Sequence, residues 1–115
     1  MPMSPNRRTL LGLLSQLCML VLITPAVQAK PKPLVHTVVI NGMQFSPANL
    51  EVSVGDTVVW INKDPFPHTA TSDQAGFHSK TILPEHTWSY VATQRGMFPY
   101  SCALHENMRG TLLVK

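Results

Sequence analysis

Cysteine is nearly missing from this chain: two occur in 115 residues, Cys18 and Cys102. Charge is thin as well, at 13% of residues, and aromatics reach only 7%. No basic cluster with interleaved aromatics occurs, so the usual footprint of a nucleic-acid binder is absent. No stretch holds a sustained helical period, which argues against a helical bundle. The longest apolar run, Leu10 to Ile23, is interrupted by Gly12, Ser15 and Gln16, and is short for a spanning helix.

What is there begins with an N-terminal segment that reads as an export signal, residues 1–29. Arg7 and Arg8 supply a basic start, Leu10 to Ile23 an apolar middle, and Ala26-Val27-Gln28-Ala29 a small-x-small cleavage pattern. An uncleaved membrane anchor is the alternative for the apolar stretch, and the Ala-x-Ala ending favours cleavage. The Arg7-Arg8 pair fits a twin-arginine signal and fits an ordinary signal equally well. Cleavage before Lys30 would place the mature protein in the periplasm, soluble, with no membrane insertion.

Cleavage changes the chemistry of what remains. Cys18 leaves with the signal, so the domain of residues 30–115 keeps one thiol, Cys102, and has no partner for a disulfide. A lone thiol in an oxidising compartment is a liability unless something occupies it, and metal ligation does so. Seven Lys and Arg against six Asp and Glu leave this domain at +1. The basic pI of the whole chain therefore comes partly from the signal.

Residues 30–115 alternate between strand-like runs and turn residues. His36 to Ile40, Leu50 to Val54, Thr57 to Ile61, Glu85 to Val91, Met97 to Cys102 and Thr111 to Val114 are rich in β-branched and aromatic residues or alternate with period two. His68 to Ser72 fits a short strand. Asn41-Gly42, Ser46-Pro47, Gly55-Asp56 and Gln94-Arg95-Gly96 punctuate them. The alternation turns Leu50, Val52 and Val54 inward, with Val58 and Trp60 on the core face of the next strand. It likewise puts Phe98, Tyr100 and Cys102 on one face. Asp73 to Lys80 reads as a polar surface excursion. The pattern predicts an all-β, Greek-key β-sandwich of about seven to eight strands in a single domain.

The densest chemistry lies at the C-terminal end: Cys102-Ala-Leu-His105-Glu-Asn-Met108. Thiolate, imidazole and thioether recur at three-residue steps between two strands. Soft sulfur with nitrogen selects copper over harder ions, and a His₂Cys site with a weak Met is an electron-transfer site. A second histidine is then required. His68 stands out, because it follows Pro67 and closes the loop after the Trp60 strand. His36, His78 and His86 read as solvated histidines, although the segment carrying His78 has room to fold back toward the site.

The joint pattern resembles a known family. Phe45-Ser-Pro47, Val54-Gly-Asp-Thr-Val-Val-Trp-Ile-Asn62, Pro67-His-Thr69, Gly96-Met-Phe-Pro-Tyr-Ser-Cys102 and His105-Glu-Asn-Met-Arg-Gly110 are similar to the small type 1 copper proteins. These are the cupredoxins of the plastocyanin, pseudoazurin and amicyanin group. The short ligand loop is most like amicyanin. The resemblance implies that His68, Cys102, His105 and Met108 bind one copper ion cycling between Cu(I) and Cu(II), in a soluble electron carrier that is not an enzyme. It also implies that His105 is the electron port, inside an apolar docking patch of Phe66, Pro67, Ala103, Leu104 and Met43. Partners would be redox proteins: a donor dehydrogenase or cytochrome, and an acceptor cytochrome or reductase.

The chain departs from the family at Leu104 and Glu106, where proline is usual, and at Thr69, where amicyanin has Asn. The Thr69 hydroxyl is placed to bond toward the Cys102 loop. A copper-delivery protein is the rival reading, but delivery calls for Met or His clusters, and residues 30–115 hold only Met43, Met97 and Met108. A copper enzyme would need His-x-His ligands, and a dinuclear respiratory site would need two loop cysteines; the sequence has neither.

Overall fold

A computed structural model describes residues 2–3, 17–26 and 31–115. The expected export signal falls largely outside them: Arg7, Arg8 and residues 27–29 are not described. Its described parts, residues 2–3 and 17–26, have no regular secondary structure and expose their apolar side chains. Among the described residues, no helix is long and apolar enough to cross a membrane.

Among the described residues, nine strands form two sheets. The first is ordered β2-β1-β4-β7, from β1 (Val35–Asn41), β2 (Gln44–Ser46), β4 (Thr57–Asn62) and β7 (Thr87–Val91). The second is ordered β3-β9-β8-β5-β6, from β3 (Asn49–Val52), β5 (Thr71–Ser72), β6 (Phe77–His78), β8 (Gly96–Cys102) and β9 (His105–Val114). The β1/β4 and β3/β9 pairs are parallel and the remainder antiparallel. The result is an all-β sandwich in one domain, with two short strands beyond the expected set.

The core lies between the sheets, where period-two alternation sends every second side chain inward. Val38 and Ile40 of β1, Val58 and Trp60 of β4, and Cys102 of β8 are fully buried. Tyr100 is buried too, and half-buried Phe98 packs against the core on the same side. Each large apolar side chain so enclosed contributes about 1.5–3 kcal/mol.

Three strand expectations are corrected. Val52 is buried and Leu50 half-buried, but Val54 is exposed. β3 stops at Val52, and Gly55 turns the chain off the sheet in the left-handed region, φ 95°. The segment Asp73 to Lys80 is more than a surface excursion. It closes the β5/β6 hairpin, buries Phe77 among the core aromatics, and buries Ser79, whose hydroxyl accepts from Ala70 N at 2.8 Å. The last strand is also far longer than Thr111 to Val114. β9 begins at His105, because the β8/β9 ladder closes down to a Cys102–His105 pair after a register shift at Ser101/Cys102.

This closure positions the site. Cys102 ends β8, His105 starts β9, and only Ala103 and Leu104 turn between them. The β4–β5 connection carries His68 to the same end, where its backbone forms an isolated antiparallel bridge with Ile82.

Candidate metal centre

The loop after β4 is stapled by buried polar groups. Asn62, fully buried at the end of β4, donates from Nδ2 to Phe66 O at 2.7 Å and to Ile82 O at 2.9 Å. Its Oδ1 accepts from Asp64 N at 2.9 Å. One side chain thus satisfies the loop's inward-facing backbone groups and fixes where residue 68 emerges. His68 N then donates to Ile82 O at 3.2 Å, and Ile82 N to His68 O at 2.7 Å.

The His68 ring has no freedom left. It is fully buried, and its Nε2 lies 2.8 Å from Asp64 Oδ2. A carboxylate only accepts, so Nε2 carries the proton and Nδ1 presents its lone pair. Asp64 Oδ1 and Oδ2 also accept from Gly42 N at 2.7 Å and Met43 N at 2.9 Å. Burial works to raise the Asp64 carboxyl; the bonds from Met43, Gly42 and His68 outweigh it and hold it below the ordinary value of 3.8. The group is an anion at neutral pH, aimed at the back of the ring.

Cys102 Sγ sits opposite. It lies 3.8 Å from His68 Nδ1 and 3.9 Å from His105 Nδ1, and the three donor atoms are mutually within 4.8 Å. Donors held at about 2.3 Å (sulfur) and 2.0 Å (nitrogen) around one ion at about 120° are about 3.7 Å apart. The observed spacings fit that geometry. Thr69 N donates to Cys102 Sγ at 3.2 Å, which fixes where the sulfur sits. Thr69 Oγ1 accepts from Ala103 N at 2.8 Å, so the expected bond toward the Cys102 loop is present.

The ligand candidates differ in exposure. His68 and Cys102 are fully buried, while His105 is partly open. Met108, on β9, is buried and lies in the core cluster with Cys102. The other three histidines stand apart. His36 Nε2 pairs with Asp56 Oδ2 at 2.9 Å, so it is not the free, solvated histidine that was expected. His78 is exposed and accepts from Lys80 N at 3.1 Å on Nδ1, and His86 is exposed. Phe66, Pro67, Ala103, Leu104 and Met43 are all exposed and lie on the loops that carry or brace the histidines.

The sequence reading missed Asn62 and Asp64. The signal available was a polar Asn-x-Asp four residues before a candidate His. It also missed Leu83, which is 50% exposed beside Ile82 and the His68 backbone.

A His-Cys-His cluster at one end of a mixed β-sandwich, with a buried Met on the following strand, defines a type 1 copper site, and one copper ion is the cofactor that this donor set takes. The chain belongs to the cupredoxin-like domain family, which it matches over residues 12–114. It is 32% identical over 78 residues to amicyanin from Paracoccus denitrificans, covering 64% of this chain and 60% of that protein. It is 33% identical over 79 residues to chloroplastic plastocyanin from Pisum sativum, covering 57% of this chain and 47% of that protein. The matched stretch thus spans less than two thirds of either relative. A solved amicyanin variant in the oxidised state superposes with a TM-score of 0.66 at 32% identity, over 70% of this chain and 82% of that one. A copper-containing nitrite reductase from Thermus scotoductus also superposes, with a TM-score of 0.66 at 27% identity, over 76% of this chain but 23% of the enzyme.

Proposed function

We propose that this chain is an exported electron carrier whose copper is held by His68, Cys102, His105 and Met108. The observation that carries the reading is the buried Cys102 Sγ with two imidazole Nδ1 atoms 3.8 and 3.9 Å away, one from the β4–β5 connection and one from the start of β9. Bound there, copper supplies one-electron chemistry between Cu(I) and Cu(II).

The protein's own part is to keep the donors still. Asp64 fixes the tautomer and orientation of His68. The Thr69 amide fixes the Cys102 sulfur, and the Thr69 hydroxyl ties Ala103 to the opposite loop. Donors that do not move between oxidation states leave little to reorganise. Partly open His105 is the contact point for partners, and exposed Phe66, Pro67, Ala103, Leu104, Met43 and Leu83 supply an apolar rim for brief, small-area docking. Donor dehydrogenases or cytochromes and acceptor cytochromes or reductases are the partner classes.

Residues 1–29 serve as the export signal and residues 30–115 as the copper domain in the periplasm. Mass analysis of protein recovered from the periplasm of expressing cells tests this; an intact N-terminus held in the membrane fraction contradicts it. The carrier role is tested by repeated one-electron voltammetry with copper counted before and after. Reversible cycling with copper retained is expected. Loss of copper on reduction would instead indicate a delivery protein.

A further inference from the structure

The core aromatics form a continuous series that starts beside the metal centre and ends at a sheet edge. Tyr100 lies two residues before Cys102 on the same face of β8. Its ring meets Trp60 edge-on at 5.4 Å between centroids. Trp60 meets Trp88 at 5.5 Å, and Trp88 stacks on Tyr90 at 6.2 Å. Phe77 fills the gap, 5.6 Å from both Trp60 and Trp88 and 4.6 Å from Tyr90. All are within the range of direct ring contact. Trp88 and Tyr90 are half-buried on β7, an edge strand that gives no residue to the metal centre.

A second observation concerns the choice of rings. Trp60 Nε1 and Tyr100 Oη are both buried, and the indole makes only a loose approach to the phenol. Polar groups held so loosely recover little of their desolvation cost, which phenylalanine at either position would avoid. An indole and a phenol stand here all the same. What they share is ease of one-electron oxidation, which phenylalanine lacks.

We propose that Trp60, Trp88, Tyr90 and the bridging Tyr100 form a second electron route, through which the metal centre reduces strong one-electron oxidants that strike the β7 edge. The route rests on the copper reading for its final electron source. The oxidant class is any species able to oxidise an indole, such as an organic radical or a photogenerated Ru(III) polypyridyl complex. The oxidant takes one electron from the Trp88 or Tyr90 ring. Trp60 refills that ring, and Cu(I), once held by His68, Cys102, His105 and Met108, would supply the electron that restores Trp60 across Tyr100 and β8. In sum the oxidant gains one electron, reduced copper loses one, and no bond is made or broken. If Tyr90 is struck, its phenol proton passes to solvent and returns when the ring is refilled. Tyr100 serves only as a bridge between the ring series and β8, its phenol buried against Trp60.

The test places a ruthenium photosensitiser on Ser89→Cys, on the outer face of β7, in a Cys18→Ala background. After flash-quench of the Cu(I) protein, copper oxidation and transient ring radicals are followed together. Trp60→Phe and Trp88→Phe are each expected to slow copper oxidation at least about tenfold, because a phenyl ring is harder to oxidise by more than the ~1.4 kcal/mol that each tenfold in rate requires. Trp88 is half-buried, so Trp88→Phe remains informative if Trp60→Phe does not fold. Phe77→Leu should leave the rate within about twofold. In the copper-free labelled protein the same flash should leave a long-lived radical whose EPR spectrum changes in Trp60→Phe. That arm reads the ring series even if the copper assignment fails. Copper oxidation at equal rates in both tryptophan variants, or a copper-free radical spectrum unaffected by Trp60→Phe, overturns the proposal.

Discussion

Removing the Asp64 carboxylate should uncouple His68 from the fold. Three donors converge on it: the His68 ring, Gly42 N and Met43 N. They will not suffer equally in Asp64→Ala. Gly42 and Met43 are exposed, so water can replace the lost acceptor and each amide loses about 1 kcal/mol net. The His68 ring is fully buried, so its Nε2–H is left unpaired at about 1–3 kcal/mol. Together this is about 3–5 kcal/mol, in line with stripping one partner from a buried pair. With a urea dependence of about 1–1.5 kcal/mol per molar, the midpoint should fall by about 2–5 M. Asp64→Asn is the milder change. Its carbonyl can occupy the Oδ2 position and keep Met43 and His68, leaving the amide against Gly42 N, for a loss of about 1–2 kcal/mol. The assay is urea unfolding of the copper-free chain. For the copper-loaded Asn variant the reduction potential should rise, since a negative charge behind His68 that favours the oxidised ion is gone. A loss below about 1 kcal/mol in the Ala variant, or an Asn variant worse than Ala, would refute the reasoning.

Three further outcomes are expected. Gly110 faces Tyr100 across the β8/β9 ladder, and a Cβ there would lie 2.5 Å from the phenol oxygen, so Gly110→Ala should cost about 1–3 kcal/mol or more by urea midpoint. Asp56 accepts from Leu34 N, Ser53 N and His36, which lower its carboxyl from 3.8 to about 2. A depressed folded value contributes stability that is present above 3.8 and lost as pH falls through about 2. Asp56→Asn should therefore flatten the acid limb of the copper-free chain's stability curve in that window. Leu104→Lys, in the exposed turn before His105, should slow electron exchange with a partner protein while leaving the copper spectrum unchanged.

The candidate ligands stand out in the sequence because their spacing is local. Cys102, His105 and Met108 fall within seven residues, and Pro67-His68 closes a loop after a clear strand. The strands of the central ladders were legible for the same reason, since alternation in Thr57 to Ile61 or Met97 to Cys102 is a local record of one buried face. What stayed hidden depends on contacts distant in sequence. Asp64 looks like an ordinary loop acid until the Gly42-Met43 turn, twenty-two and twenty-one residues away, delivers two amides to it. Phe77 sits in a polar segment, and only the opposite sheet's Trp60 and Trp88 make it a core residue. Val54 misled because alternation continues in the sequence after Gly55 has already turned the backbone away from the sheet. The length of β9 was hidden because pairing with β8, not side-chain pattern, extends it back to His105.

The central claim is that Cys102, between two imidazoles, makes this a type 1 copper protein. The most direct measurement is the visible and EPR spectrum of the chain loaded with Cu(II), beside that of Cys102→Ser, with Cys18→Ala as the comparison thiol. An intense blue thiolate-to-copper band and a narrow copper hyperfine splitting are expected in the native chain and in Cys18→Ala, and both should vanish in Cys102→Ser. A colourless native protein with wide splitting, or a spectrum that Cys102→Ser leaves unchanged, would contradict the assignment.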